Sequence, residues 1–488
     1  MATPPQKPAP RRGLRRTLGI GGLFSIGYAD VGAGIYLALG LVTLHAGYAT
    51  PLAIGVAAIA YVLTGLTYAE LSSTYPTAGG SATFAQAAFG DTVSFLAGWM
   101  LCLDYVVTAA IFAIPAIAYL SFFAPVLKQS YMLGTGAIVL LVGLLALNVI
   151  GIKESVNFTF ALSLLDIASE IALIVLGLVL VIIPGGLLFK WPSHFTLGTM
   201  PTWGEFIQGI TLAMVSYLGI EALAQAAEET HIAGRTIPRA TMLTLGTVVI
   251  LYLLISTVAV NIVDPRVLST PSVKGGYRED PLSGVASSLP GTGALIAGWI
   301  ALLGSSISII GANAGIIGSS RTLYALSKYK LLPGKFGAIH KKFRTPYIAI
   351  LVFGLGSILL VALSSFNILG GSVDPLVLLG SLYNVGALVA YVSAHASLIV
   401  TRNTDKPRFR PFKVPLSISF KRNGKVIEIP ILPVLGLLAT GAIWVAVILT
   451  HDLGRELGAA WVVMGISMYV YFRKKNNLPL LGRAKTQD

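Results

Sequence analysis

Ile-Gly-Gly-Leu-Phe-Ser-Ile-Gly-Tyr-Ala-Asp-Val-Gly-Ala-Gly-Ile-Tyr, residues 20 to 36, is apolar enough to enter a bilayer yet holds five glycines and one carboxylate, Asp30. Such a segment does not read as one clean helix. The run Gly32-Ala33-Gly34 leaves the backbone little side-chain cover and tolerates unwound dihedrals, so its amides and carbonyls can face a ligand. Broken membrane helices of this kind mark binding sites in transporters.

The rest of the chain has the same solvent. Of 488 residues, 55% are hydrophobic and only 11% charged, too apolar for a soluble protein of this size. Apolar runs recur at the length a helix needs to cross the hydrocarbon core. They fall at 18–44, 50–73, 92–124, 132–150, 156–184, 203–229, 238–263, 286–326, 346–365, 373–400, 430–450 and 455–473, which predicts an all-α membrane protein of twelve transmembrane helices. The net charge of +14 raises the question of nucleic acid, but its distribution follows topology. With the N-terminus inside, the inner segments carry 28 of the 34 Lys and Arg, and the outer loops hold Lys128, Lys190, Arg266, Lys274, Arg278 and Arg455. That is the positive-inside bias, with both termini cytoplasmic in the cell membrane. The basic stretches are read as contacts to anionic lipids, not as a nucleic-acid surface. The single cysteine, Cys102, lies inside an apolar span and excludes an intrachain disulfide.

Punctuated stretches follow in order. Residues 68 to 81 read Tyr-Ala-Glu-Leu-Ser-Ser-Thr-Tyr-Pro-Thr-Ala-Gly-Gly-Ser, where Pro76 and Gly79-Gly80 end the second helix. Then come Gly98-Trp99-Met100-Leu101-Cys102-Leu103-Asp104-Tyr105, Ser216-Tyr217-Leu218-Gly219-Ile220-Glu221-Ala222, Glu228-Glu229-Thr230 with Ile237-Pro238-Arg239, and Gly318-Ser319-Ser320-Arg321 with Leu331-Leu332-Pro333. Together with Gly32-Ala33-Gly34-Ile35-Tyr36, these resemble the amino acid-polyamine-organocation superfamily of permeases, in its cationic amino acid transporter-like branch. The resemblance implies a leucine-transporter-like, five-plus-five inverted repeat in which helices one and six are unwound at the midplane, followed by two C-terminal helices. The domain reading is therefore a disordered basic cytoplasmic tail at 1–17, a first repeat at 18–184, a second at 203–400, a basic cytoplasmic loop at 401–429, helices eleven and twelve at 430–473, and a cytoplasmic tail at 474–488.

By the same resemblance, the backbone at Gly32, Ala33 and Gly34 receives a substrate carboxylate, and carbonyls of Ser216, Tyr217, Leu218 and Gly219 receive its amine. Partial charges at half-helix ends supply the physical reason. The alternative is that these glycines only let helices pack closely.

Five carboxylates lie deep in predicted spans: Asp30, Asp104, Asp166, Glu170 and Glu221. An ionised carboxylate at that depth costs about 2.5–3.5 kcal/mol on insertion scales. An interior rich in anions and poor in bases is built for a cation, whether proton, metal ion or amine. Asp166 and Glu170, four residues apart, share a helix face and suit a shared proton. Some proton-coupled relatives in the resembled superfamily carry a lysine where Asp166 stands, so this chain departs from them. That leaves a carboxylate-borne proton or a cation site completed by Ser305 and Ser306. The structural alternative pairs Asp166 and Glu170 with Ser163, Ser169 or a neighbouring helix. Asp104, where the resembled cationic amino acid carriers have Glu, is read as a contact for a substrate amine or a proton acceptor, with a hydrogen bond to backbone freed by the break in helix one as the structural alternative; Glu221 is read as a less specific substrate contact. The lone histidines His45, His395 and His451 are placed near span ends with no role.

The resulting expectation is a proton-coupled secondary active transporter taking up amino acids or cationic amines by alternating access, with no cofactor. Because Asp30 also resembles the acid of potassium-uptake permeases in the same superfamily, proton-coupled potassium uptake is the alternative. A non-transporting receptor fits less well, and no nucleophile-and-base pair suggests an enzyme.

Overall fold

The computed structural model describes residues 17–77, 79–151, 156–184, 200–291, 293–366, 368, 374–422 and 425–482. Residues 1–16 of the predicted tail at 1–17, Lys153, Lys190 and the last six residues lie outside them. The described chain is helical apart from one β-hairpin. Among the described residues, nine stretches are long and apolar enough to cross a membrane, the first of them running from Ile20 to Thr74.

That first stretch contains α1 (Ile20–Gly32), α2 (Gly34–Ala46) and α3 (Thr50–Thr74). After a short α4 (Ser81–Ala88) comes α5 (Asp91–Leu120), then α6 (Ser130–Ile150) and α7 (Val156–Gly177), which continues as a π turn to Ile182. α8 (Trp203–Val215) and α9 (Glu221–Gln225) are separated by five residues, and α10 (Ala233–Ile262) follows. The loop after α10 holds α11 (Pro265–Ser269) and α12 (Pro281–Ser287) before the long α13 (Gly293–Lys328). α14 (Tyr347–Ser365) and α15 (Pro375–Thr404) lead to strands β1 (Ser417–Arg422) and β2 (Lys425–Pro430), then α16 (Ile431–Thr450) and α17 (Asp452–Lys475).

Local chemistry sets several of these boundaries. Pro51 opens α3, where its missing N–H costs nothing, and Pro76 follows its end. α8 starts with a capping box in which Thr202 and Glu205 satisfy each other's backbone N–H groups. Asp374 caps α15 by accepting from the N–H groups of Leu376 and Val377. The same carboxylate meets Arg278, from the loop between α10 and α13, at 2.5 Å.

α5 is buried along nearly its whole length, with α13 and α15 packed against it. α10 lies along α3, and α1 along α10 and α7. By contrast α6 and α16 expose Val139, Val142, Leu438 and Leu449, as helices facing lipid do. His395, which the sequence places near a span end, is instead wholly buried within α15. Its ring nitrogens contact the hydroxyls of Thr64 (3.1 Å) and Thr67 (2.9 Å), tying α15 to α3.

The segment read as a plain basic loop at 401–429 contains the hairpin, with Ile418 opposite Ile429 and Phe420 opposite Ile427. It also closes around Glu70, at the end of α3. Glu70 accepts from Arg402 Nε (2.9 Å) and Nη2 (2.5 Å), from Arg410 Nη1 (3.1 Å) and from the Val414 N–H (2.7 Å). Arg402 extends the network to Glu428 (2.9 Å) and Ser417 (2.6 Å) on the hairpin. On the same face, Arg321 pairs with Glu229 at 3.0 Å, and Leu18 pairs with Thr230 in an isolated parallel bridge.

Candidate functional site

Two helix interruptions meet at the centre. In a continuous helix the Ile35 N–H would donate to the Val31 carbonyl, four residues back. Here the Tyr252 hydroxyl, from α10, stands between them. It accepts from the Ile35 N–H at 3.1 Å and donates to the Val31 carbonyl. A side chain inserted into the ladder is a known cause of helix breaks. Ala33 itself keeps right-handed helical dihedrals (φ −61°, ψ −20°), so the interruption is one residue and one displaced bond rather than an open turn.

The second interruption is wider, from Ser216 to Ile220. Gly219 has φ +117°, a conformation that side chains oppose. Its N–H donates to the Tyr391 hydroxyl at 3.2 Å, and that hydroxyl donates to Glu221 at 2.7 Å. The two interruptions touch directly. A Cβ on Gly34 would overlap the carbonyl oxygen of Ser216, and one on Gly219 would lie 3.0 Å from Cγ of Asp30. Close packing is thus one role these glycines perform, beside whatever their backbone offers a ligand.

Asp30, Asp104 and Glu221 converge on this junction. They are buried, at 2%, 0% and 1% exposure, and lie within electrostatic reach of one another. No side-chain or backbone donor among the described residues reaches either oxygen of Asp104 or Oδ1 of Asp30. No Lys, Arg or His among the described residues pairs with any of the three. Tyr217 of the second interruption stacks on Tyr61 with ring centroids 4.9 Å apart, and Tyr68 meets Tyr391 edge-on at 5.7 Å. The hydroxyls of Tyr61, Tyr105 and Tyr217 are buried without a hydrogen-bond partner. The surroundings of the three acids are therefore aromatic faces and phenolic dipoles.

Asp166 and Glu170 form a separate acidic pair on α7, against α1. Asp166 accepts from the hydroxyls of Tyr36 (2.5 Å) and Tyr28 (3.0 Å). Glu170 is wholly buried beside it. The serines named as structural partners are engaged elsewhere: Ser163 donates to the Thr159 carbonyl, and Ser169 donates to the Leu165 carbonyl while accepting from Trp299. Ser305 is buried on α13, but Ser306 turns partly outward and donates to the Leu302 carbonyl.

The sequence reading missed the tyrosines. Tyr252 and Tyr391 hold the two interruptions, and Tyr28 and Tyr36 hold Asp166, yet none sits in a run that distinguishes it from a core aromatic. Tyr28 and Tyr36 both lay within the opening stretch, but nothing in that stretch marked either as a partner of Asp166.

The chain matches the Amino acid permease family over residues 18–468. It is 26% identical to the branched-chain amino acid permease BcaP of Bacillus subtilis, over 96% of this chain and 95% of that one. It is 28% identical to the low-affinity putrescine importer PlaP of Escherichia coli, over 85% and 84% of the two chains. With the vacuolar cationic amino acid transporter 4 of Arabidopsis thaliana it shares 27% identity, over 83% of this chain and 66% of that one. These are carriers of amino acids and amines, so the potassium reading of Asp30 is not favoured. An integral membrane protein with apolar spans and a family match over nearly its whole length, this chain belongs to the amino acid permease family.

Proposed function

We propose that this chain is a proton-coupled secondary active permease that takes up a cationic amine or amino acid by alternating access. The observation that carries the reading is the convergence of Asp30, Asp104 and Glu221, buried and without a cationic partner, on the two helix interruptions. Three ionised carboxylates at membrane depth are untenable without positive charge, at about 2.5–3.5 kcal/mol each on insertion scales. A substrate ammonium supplies that charge, and tyrosine faces suit it further by cation–π attraction. An amino acid's carboxylate would find the α2 N-terminus at Gly32, Ala33 and Gly34, and its amine the carbonyls of Ser216, Tyr217, Leu218 and Gly219.

Asp166 and Glu170 act as the coupling pair. Protonation of Asp166 weakens its hold on Tyr28 and Tyr36, which lie on either side of the first interruption. Ser305, on the neighbouring helix, would complete that region. In this reading residues 18–184 and 203–400 are the inverted repeats of a twelve-helix fold, α16 and α17 lie outside them, and both termini face the cytoplasm of the cell.

Uptake into proteoliposomes tests the proposal. Labelled putrescine or a labelled amino acid accumulates when the interior is alkaline, and less without the gradient. Asp30→Asn weakens uptake of a cationic substrate more than of a neutral one. If no amine or amino acid accumulates or binds, the proposal fails.

A further inference from the structure

The cations on the face that holds Glu70 are not equivalent. Between Arg402 and Lys413 each one is engaged: Arg402 and Arg410 with Glu70, Lys406 with the Val426 carbonyl, Arg408 with Asp405, and Lys413 with Glu428. The sequence assigned this stretch to lipid, and here its cations also hold the protein's own groups: Arg402 and Arg410 share one carboxylate, and Lys406 meets a neutral carbonyl. Arg235 and Arg239 differ. Both are exposed, and neither side chain has a hydrogen-bonding or ionic partner among the described residues.

These two arginines are four residues apart on α10, so they share one face. They line a shallow surface cavity that is largely open to its surroundings. Pro411 and Phe412 line it from the other side. Pro411 lies so close to α10 that a Cβ on Gly234 would come within 2.8 Å of it. One turn further along α10, Met242 and Leu243 also line the cavity, and both are exposed at 37% and 49%. α10 is one of the apolar membrane-crossing helices, so this apolar half points toward hydrocarbon and the arginine half toward the interface.

We propose that this cavity binds an anionic membrane phospholipid, whose headgroup phosphate is held by Arg235 and Arg239 and whose first acyl carbons lie along Met242 and Leu243. Two unpaired guanidiniums match a phosphate by charge and by fork geometry. The apolar lower half is what a free phosphate would not use. A soluble acidic partner would leave Met242 and Leu243 uncovered as well. The assignment does not depend on the identity of the transported substrate.

The test uses the full chain, delipidated in neutral detergent, with thermal midpoint and native mass spectrometry as readouts. Phosphatidylglycerol raises the midpoint and gives a bound-lipid adduct. Phosphatidylcholine and millimolar inorganic phosphate do neither. The Arg235→Gln/Arg239→Gln double variant binds phosphatidylglycerol about 30-fold more weakly, since each interfacial cation contributes a factor of about five. The Arg235→Lys/Arg239→Lys variant keeps the charge and loses the fork, so it binds more weakly than the native chain and more tightly than the glutamine variant, which separates lost charge from lost folding. An undiminished phosphatidylglycerol shift in the glutamine variant overturns the proposal. So does an equal shift from phosphatidylcholine, or one from inorganic phosphate alone, which would make it a site for a free anion.

Discussion

Replacing Glu70 should destabilise the protein more than any exposed ion pair would, and in a way that depends on Arg402. Glu70 is fully buried and accepts four hydrogen bonds, three of them from guanidinium groups. Glu70→Gln removes the charge and offers an N–H₂ where the Val414 N–H and Arg402 both need an acceptor. Arg402, 3% exposed, is left with Glu428, and Arg410 with no carboxylate. Stranding one member of a buried pair costs about 3–5 kcal/mol. Replacing both members by apolar groups removes the desolvation burden along with the attraction and is far cheaper. Glu70→Leu and Arg402→Met should therefore each cost about 3–5 kcal/mol, and the double variant less than their sum by at least about 2 kcal/mol. Equilibrium unfolding of the purified full chain in detergent, run as a double-mutant cycle, reads this coupling. Single-variant costs below about 1 kcal/mol, or strict additivity, would refute the view that this pair fastens α3 to α15.

Tyr252→Phe removes the hydroxyl between Val31 and Ile35. We expect a cost of about 1–3 kcal/mol from a buried group left unsatisfied, and altered substrate affinity, measured by unfolding and by binding titration; unchanged affinity counts against a role for this bond in the site. Asp166→Asn should abolish accumulation driven by a pH gradient while sparing counterflow exchange, so driven uptake at the native rate would remove Asp166 from coupling. In the loop between α10 and α13, burial pushes the Asp280 carboxyl up to about 7, against the lowering effect of its hydrogen bond from Ser272. A folded-state pKa above the unfolded value means that stability present in acid is lost as pH rises from about 4 through 7, by at most about 4 kcal/mol. The thermal midpoint should fall between pH 5 and pH 8, and Asp280→Asn should flatten that fall.

What the sequence revealed, and what it hid, divides along physical lines. Apolar runs locate spans because hydrocarbon thickness fixes their length, and expected and observed helices agree closely at 132–150 against Ser130–Ile150 and at 346–365 against Tyr347–Ser365. At Ser216–Ile220 the expectation of a break came from the resemblance and not from the local residues; Gly219 there adopts φ +117°, a conformation that side chains oppose. At Ala33 the sequence suggested an open turn, but the cause of the break lies on α10 and leaves no mark in the local residues. Glu70 was passed over for a similar reason: its partner Arg402 is 332 positions away, and only the fold brings them together. The hairpin did have a signal. Alternating apolar residues flank Asn423-Gly424, a pattern that favours a tight β-turn, and the density of basic residues obscured it.

The Tyr252 hydroxyl makes the bend of the first membrane segment a shared property of two helices. Because α10 supplies the atom that replaces a backbone bond, α1 and α2 can neither straighten nor fold further at Ala33 unless α10 moves with them or gives up both contacts. The joint is held from outside, much as a pin through a hinge belongs to neither leaf. Any rearrangement that opens the centre to one side of the membrane therefore either carries α10 along or withdraws the pin, and those two routes differ in whether the Val31 carbonyl and the Ile35 N–H meet again.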